Sequence, residues 1–64
     1  MTEHPDYAAA YFMCARTMEQ IDMRNEARDV YEDGIRAARR GGDEHAAGEM
    51  QAALDALGLY HLFS

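Results

Sequence analysis

Lysine is absent from this chain, cysteine occurs once, and no apolar run approaches the ~20 residues that a membrane-spanning helix needs. Each absence closes a class of function. With Cys14 as the sole cysteine no internal disulfide can form, and no Cys or His pair stands at zinc-ligand spacing, so neither a metal nor another cofactor is expected. Gly41-Gly42 follows a helical segment rather than a strand and lacks the lysine of a phosphate-binding loop. The segment Met1-Thr2-Glu3-His4-Pro5-Asp6 has none of the charge and apolar blocks of a signal peptide, which leads to the expectation of a cytoplasmic protein. The net charge is -6, and all the cations are arginines: Arg16, Arg24, Arg28, Arg36, Arg39 and Arg40. Phosphate binding needs a clustered basic surface, and only Arg36, Arg39 and Arg40 come near one, at the end of a helix where cations offset the negative end of the dipole. Nucleic acid is therefore not an expected partner.

Candidates for catalysis are equally thin. Cys14 falls on an apolar stripe between Tyr11 and Met18 with no histidine at helical spacing, which reads as a buried small hydrophobe rather than a nucleophile. His4, His45 and His61 are scattered along the chain. The neighbouring acids Glu32-Asp33 and Asp43-Glu44 point in different directions on a helix and make no general acid and base pair. The expectation is that the protein is not an enzyme.

What the sequence does contain is a helical period, three times over. From about residue 6 to 21, Tyr7, Tyr11, Cys14, Ala15, Met18 and Ile21 recur at steps of three and four, with Pro5 suited to the first turn. From 24 to 40 the stripe is Ala27, Val30, Tyr31, Gly34, Ile35 and Ala38, ended by Gly41-Gly42. From 44 to 57 it is Ala46, Met50, Ala53, Leu54 and Leu57, opened by Asp43 as an N-cap and closed by Gly58. An apolar tail, 58–64, follows. The short link Asp22-Met23-Arg24-Asn25 makes the first two helices antiparallel neighbours. The expected fold is all-α, one domain over residues 1–64. A chain of 64 residues buries only about 60% of its unfolded surface, and domains this small commonly gain further stability from a partner.

The first two helices resemble one tetratricopeptide repeat. Tyr11 stands at that family's opening aromatic position, Cys14 at its leucine, Ala15 at its small helix-crossing residue and Met18 at its next large residue; Ala27, Tyr31 and Gly34 follow in the second helix. Asp22 replaces the usual turn glycine and Arg39 the closing proline. Over residues 5 to 57 the chain is similar to the C-terminal repeat and capping helix of small bacterial tetratricopeptide proteins. The resemblance implies a helix-turn-helix with a third, capping helix, acting as a scaffold that binds protein.

Carried onto the first helix, the family's ligand-facing positions are Ala9, Phe12, Met13, Arg16, Glu19 and Gln20, an apolar Phe-Met centre with a polar rim. Two readings of that centre stand: a docking patch, or side chains packed against the third helix or the tail. The family's carboxylate clamp is not reproduced, because Phe12 and Met13 occupy positions where it needs polar groups. If the third helix runs on through Gly58, Leu59 and Phe63 fall well off the side carrying Leu54 and Leu57, and a second apolar face can meet a partner. Otherwise the tail Leu59-Tyr60-His61-Leu62-Phe63 frays onto the nearest groove. The functional expectation is a protein-interaction module, a homo-oligomer or a subunit of a larger assembly. The alternative is an acidic, antitoxin-like regulator that neutralises a basic partner.

Overall fold

The computed structural model describes residues 7–63, with side chains described from 8 to 59. Three helices follow one another: α1, Tyr7–Gln20; α2, Arg24–Arg40; and α3, Glu44–Phe63. α1 packs on α2 and α2 on α3, while α1 and α3 touch more sparingly. The expected helix start at residue 6, the part assigned to Pro5 and the tail residue Ser64 lie outside the described residues.

Both links are three residues long, and they are built alike. After α1, the Asp22 amide donates to the Glu19 carbonyl (3.0 Å) and the Met23 amide to the Met18 carbonyl (2.8 Å). After α2, Gly42 donates to Arg39 (3.0 Å) and Asp43 to Ala38 (2.8 Å). This is the Schellman stop, which needs one residue in the left-handed region. Gly42 takes it with φ 79°, and Asp22 takes it with φ 64°. Asp22 therefore does the backbone work expected of a glycine, as Asp and Asn can at modest cost. Such short turns make successive helices antiparallel, so α1 and α3 run parallel on α2.

The α2 stripe holds as expected: Ala27, Tyr31, Gly34, Ile35 and Ala38 are buried and Val30 is half-buried. On α3, Met50 and Leu57 are buried and Ala46, Ala53 and Leu54 half-buried, with Ala47 added to the core. α1 departs from expectation in part: Ala15 is buried and Tyr11 and Met18 are half-buried against the core as expected, but two other residues of the stripe are not. Cys14 is exposed, and Ile21 is 60% exposed and stands beyond the last helical residue. The face turned inward carries Ala8 and Ala15, both buried, with Tyr11, Phe12 and Met18 packed around them. The reason is the sequence of α1 itself: apolar residues surround most of the helix, so periodicity alone leaves its orientation open. Close packing then selects the alanines, which let the α2 backbone approach. Cys14, one residue and ~100° away from Ala15, is left on the outside.

α3 also differs from expectation, because it does not stop at Gly58 but continues to Phe63. A glycine inside a helix costs about 1 kcal/mol against alanine and ends a helix only where the chain turns into the left-handed region. Gly58 does not turn; the segment expected to be a tail from 58 is the last part of α3. Leu57 seats the helix against α2, while Leu59, two residues on, is 55% exposed.

Candidate functional site

Because α1 and α3 lie side by side with limited contact, an open groove of about 550 Å³ remains between them. α1 supplies Ala8, Ala9, Phe12, Met13, Arg16, Thr17 and Gln20; Asp43, Ala46 and Glu49 form the opposite wall. Five of the six residues expected to bind a partner are thus brought together: Ala9, Phe12, Met13, Arg16 and Gln20. Glu19 is not among them. Its half-buried carboxylate accepts a hydrogen bond from the Tyr31 hydroxyl.

The two residues of the Phe-Met pair differ in burial. Phe12 is half-buried and packs against the core, with its ring edge-to-face on Tyr31 at 5.9 Å between centroids and 73° between planes. Met13 is 70% exposed. The Arg16 guanidinium lies 5.9 Å from the Phe12 ring centroid, within range of a cation–π contact. Arg16, Phe12, Tyr31 and Glu19 therefore form one connected set, of which Arg16 and Phe12 line the groove. Burial pushes the Tyr31 phenol well above its ordinary range; the hydrogen bond to Glu19 and that carboxylate's charge add to the shift, and Arg16 opposes it.

Sequence reasoning misses the second wall. Asp43 is legible only as a helix cap, a part it also plays, since its Oδ1 accepts the Ala46 amide at 3.1 Å. Glu49 gives no signal of its own. It lies 3.1 Å from His45 Nε2 on the exposed side of α3. On the other flank of α1, Ala10, Tyr11, Cys14 and Val30 line a shallower hollow of about 410 Å³.

The groove between α1 and α3 is lined by Phe12, Met13, Arg16, Gln20 and Glu49 among others. Its described side chains include no nucleophile held by a base, and the described residues contain no group of three or more His, Cys, Asp or Glu placed to hold a metal ion. No helix among them is long and apolar enough to cross a membrane. Comparison with family models, with curated proteins and with solved structures returned no match for this chain.

Proposed function

We propose that the chain is a protein–protein interaction module of tetratricopeptide-like build, that it is not an enzyme, and that its binding surface is the groove between α1 and α3. One observation carries the reading. Met13, 70% exposed, sits at the centre of a concave surface rimmed by Arg16, Gln20 and Glu49. An apolar centre inside a polar rim is the usual anatomy of a protein interface. The packing of α1 on α2 with Ala15 and Ala27 both fully buried supports the repeat-like build. Most of the exposed face of α2 mixes Arg28, Arg36 and Arg39 with Asp29, Glu32 and Asp33, which gives a uniformly acidic binding surface little support.

The test is recovery of partner polypeptide by the chain expressed in its native cell. Met13→Glu should leave the helical circular dichroism unchanged and lower partner binding roughly tenfold or more, as loss of an interface anchor does. Binding as strong as that of the unaltered chain would overturn the reading.

A further inference from the structure

The charges along the groove are arranged end to end. α1 contains only two charged residues, Arg16 and Glu19, and Glu19 is engaged by Tyr31. Its solvent face therefore presents Arg16 alone, which forms no ion pair among the described residues. The opposite wall carries Asp43 and Glu49. The register between the walls follows from Gly34, where a Cβ would stand 2.8 Å from Tyr11 Cβ and 2.6 Å from Met50 Sδ. Tyr11 is thus level with Met50. Since α1 and α3 run parallel, Glu49 is level with Ala10, and Arg16 lies about 9 Å further along at 1.5 Å per residue. Asp43 extends the acidic end away from Arg16. The midpoint between the level of Glu49 and that of Arg16 is Met13, the most exposed large apolar side chain among the described residues.

A groove that is acidic at one end, basic at the other and apolar in the middle is complementary to itself turned end for end. We infer that the groove is occupied by a second copy of this chain, docked antiparallel through α1 about a two-fold axis near Met13, with Arg16 of each copy facing Glu49 of the other. The inference rests on the groove being the binding surface, and it names the partner. A two-fold interface uses one patch twice, so a single favourable pair is repeated. The rest of the charge pattern agrees. Two copies of net charge -6 repel each other, and the α1 face, lacking any free carboxylate of its own, is where they approach at least cost. Small residues at Ala9, Ala10 and Thr17 flank Met13 and let the two backbones come close. α1 is only about 21 Å long, so the contact is smaller than the roughly 800 Å² per partner of a stable complex, and the dimer is a concentration-dependent one.

The experiment is a charge exchange read by sedimentation equilibrium between about 10 µM and 1 mM, the range in which an interface of this size associates. Arg16→Glu alone sets carboxylate against carboxylate at both symmetry-related contacts, and Glu49→Arg alone sets guanidinium against guanidinium at both. Each variant by itself should associate at least tenfold more weakly than the unaltered chain. Mixed one to one, the introduced carboxylate of the first variant meets the introduced guanidinium of the second at one contact, and Glu49 of the first meets Arg16 of the second at the other. Mixing should therefore recover association, and a mixture no stronger than either variant alone would overturn the pairing. The double variant Arg16→Glu with Glu49→Arg on one chain likewise restores an opposite pair at both contacts and should associate to within about threefold of the unaltered chain. Circular dichroism of each variant verifies the helices, which neither change disturbs because both side chains are exposed. An unaltered chain that stays monomeric to 1 mM, single variants that associate as it does, or a double variant no stronger than the single ones would each overturn the second copy as occupant. Those results leave the Met13→Glu partner assay free to stand, since it reads any polypeptide that the chain recovers and not the second copy alone; failure of that assay would instead remove the wider reading of the groove.

Discussion

The Tyr31 hydroxyl donates a hydrogen bond to the Glu19 carboxylate, tying the middle of α2 to the last turn of α1. Tyr31 is fully buried, and its ring is met edge-on by Phe12. The contact thus joins the core to the floor of the groove, and anything that moves Tyr31 moves Phe12 and the Arg16 guanidinium above it.

Tyr31→Phe keeps the ring and removes the donor. Hydrogen bonds to charged groups contribute about 1.5–3 kcal/mol, and the half-buried Glu19 recovers part of that from water, so a loss of about 1–2 kcal/mol is expected in urea unfolding. The pH dependence has a definite sign. The folded-state pKa of Tyr31 is raised above its unfolded value, so the stabilisation is fully present below about pH 10 and is lost as pH rises toward the folded value. Melting temperature against pH should fall more steeply above pH 10 for the unaltered chain than for Tyr31→Phe, and parallel profiles would show that the phenol is not held by this contact.

Two helical glycines should respond oppositely to alanine. At Gly34 the new Cβ meets Met50 Sδ at 2.6 Å and Tyr11 Cβ at 2.8 Å. Met50 is fully buried, and Tyr11 Cβ is fixed to the α1 backbone, so neither has free room to yield. Overpacking of this kind costs about 1–3 kcal/mol, which outweighs most or all of the roughly 1 kcal/mol that alanine contributes to helix propensity. At Gly48 a Cβ meets nothing within 4 Å. Gly34→Ala should therefore lower the unfolding midpoint and Gly48→Ala raise it by about 0.5–1 kcal/mol. A gain at both sites would mean that α1 does not lie against Gly34.

Cys14 should react promptly with a thiol reagent in the folded chain. It is exposed on the flank of α1 beside Ala10 and Val30, and no barrier of unfolding stands before it. Labelling that appears only in denaturant would restore Cys14 to the core and turn α1 by about one residue, or 100°.

α2 is readable from its sequence because the pattern is unambiguous: polar residues fill every position outside Ala27, Val30, Tyr31, Gly34, Ile35 and Ala38 except Ala37, so only one face can turn inward. α1 is legible as a helix and only in part in its rotation: Tyr11, Ala15 and Met18 of the expected stripe do face the core, but Ala8, Ala9, Ala10, Tyr11, Phe12, Met13, Cys14 and Ala15 run without a charged break, which leaves the edges of the stripe open. There the choice is made by how closely α2 can approach, a property of two helices rather than one. The groove positions on α1 are legible even so, because Ala9, Phe12, Met13, Arg16 and Gln20 share one side of the helix whichever neighbour lies next to it. Asp43, Ala46 and Glu49 are not. They join the groove only through the parallel register of α1 and α3, which depends on two turns and on Gly34. The end of α3 is misplaced at Gly58 for a local reason, as glycine permits a stop but does not compel one.

The two inter-helix turns repeat the same hydrogen bonds, yet only one of them caps the helix that follows. Asp43 and Met23 occupy equivalent places: each carbonyl accepts the first helical amide, from Ala47 at 3.1 Å and from Ala27 at 2.9 Å. Asp43 adds its side chain to the Ala46 amide, whereas Met23 makes no side-chain cap and is 38% exposed. An oxygen at Met23 would satisfy an α2 amide, and Glu26, three residues on, stands where a capping box needs a glutamate to reach back. Met23→Ser should therefore stabilise the chain by about 0.5–1 kcal/mol, and Asp43→Ala should destabilise it by about 1 kcal/mol. Both are read from urea midpoints at unchanged slope. A loss of stability in Met23→Ser would show that the methionine side chain contributes more by packing over the turn than an oxygen there contributes by capping α2.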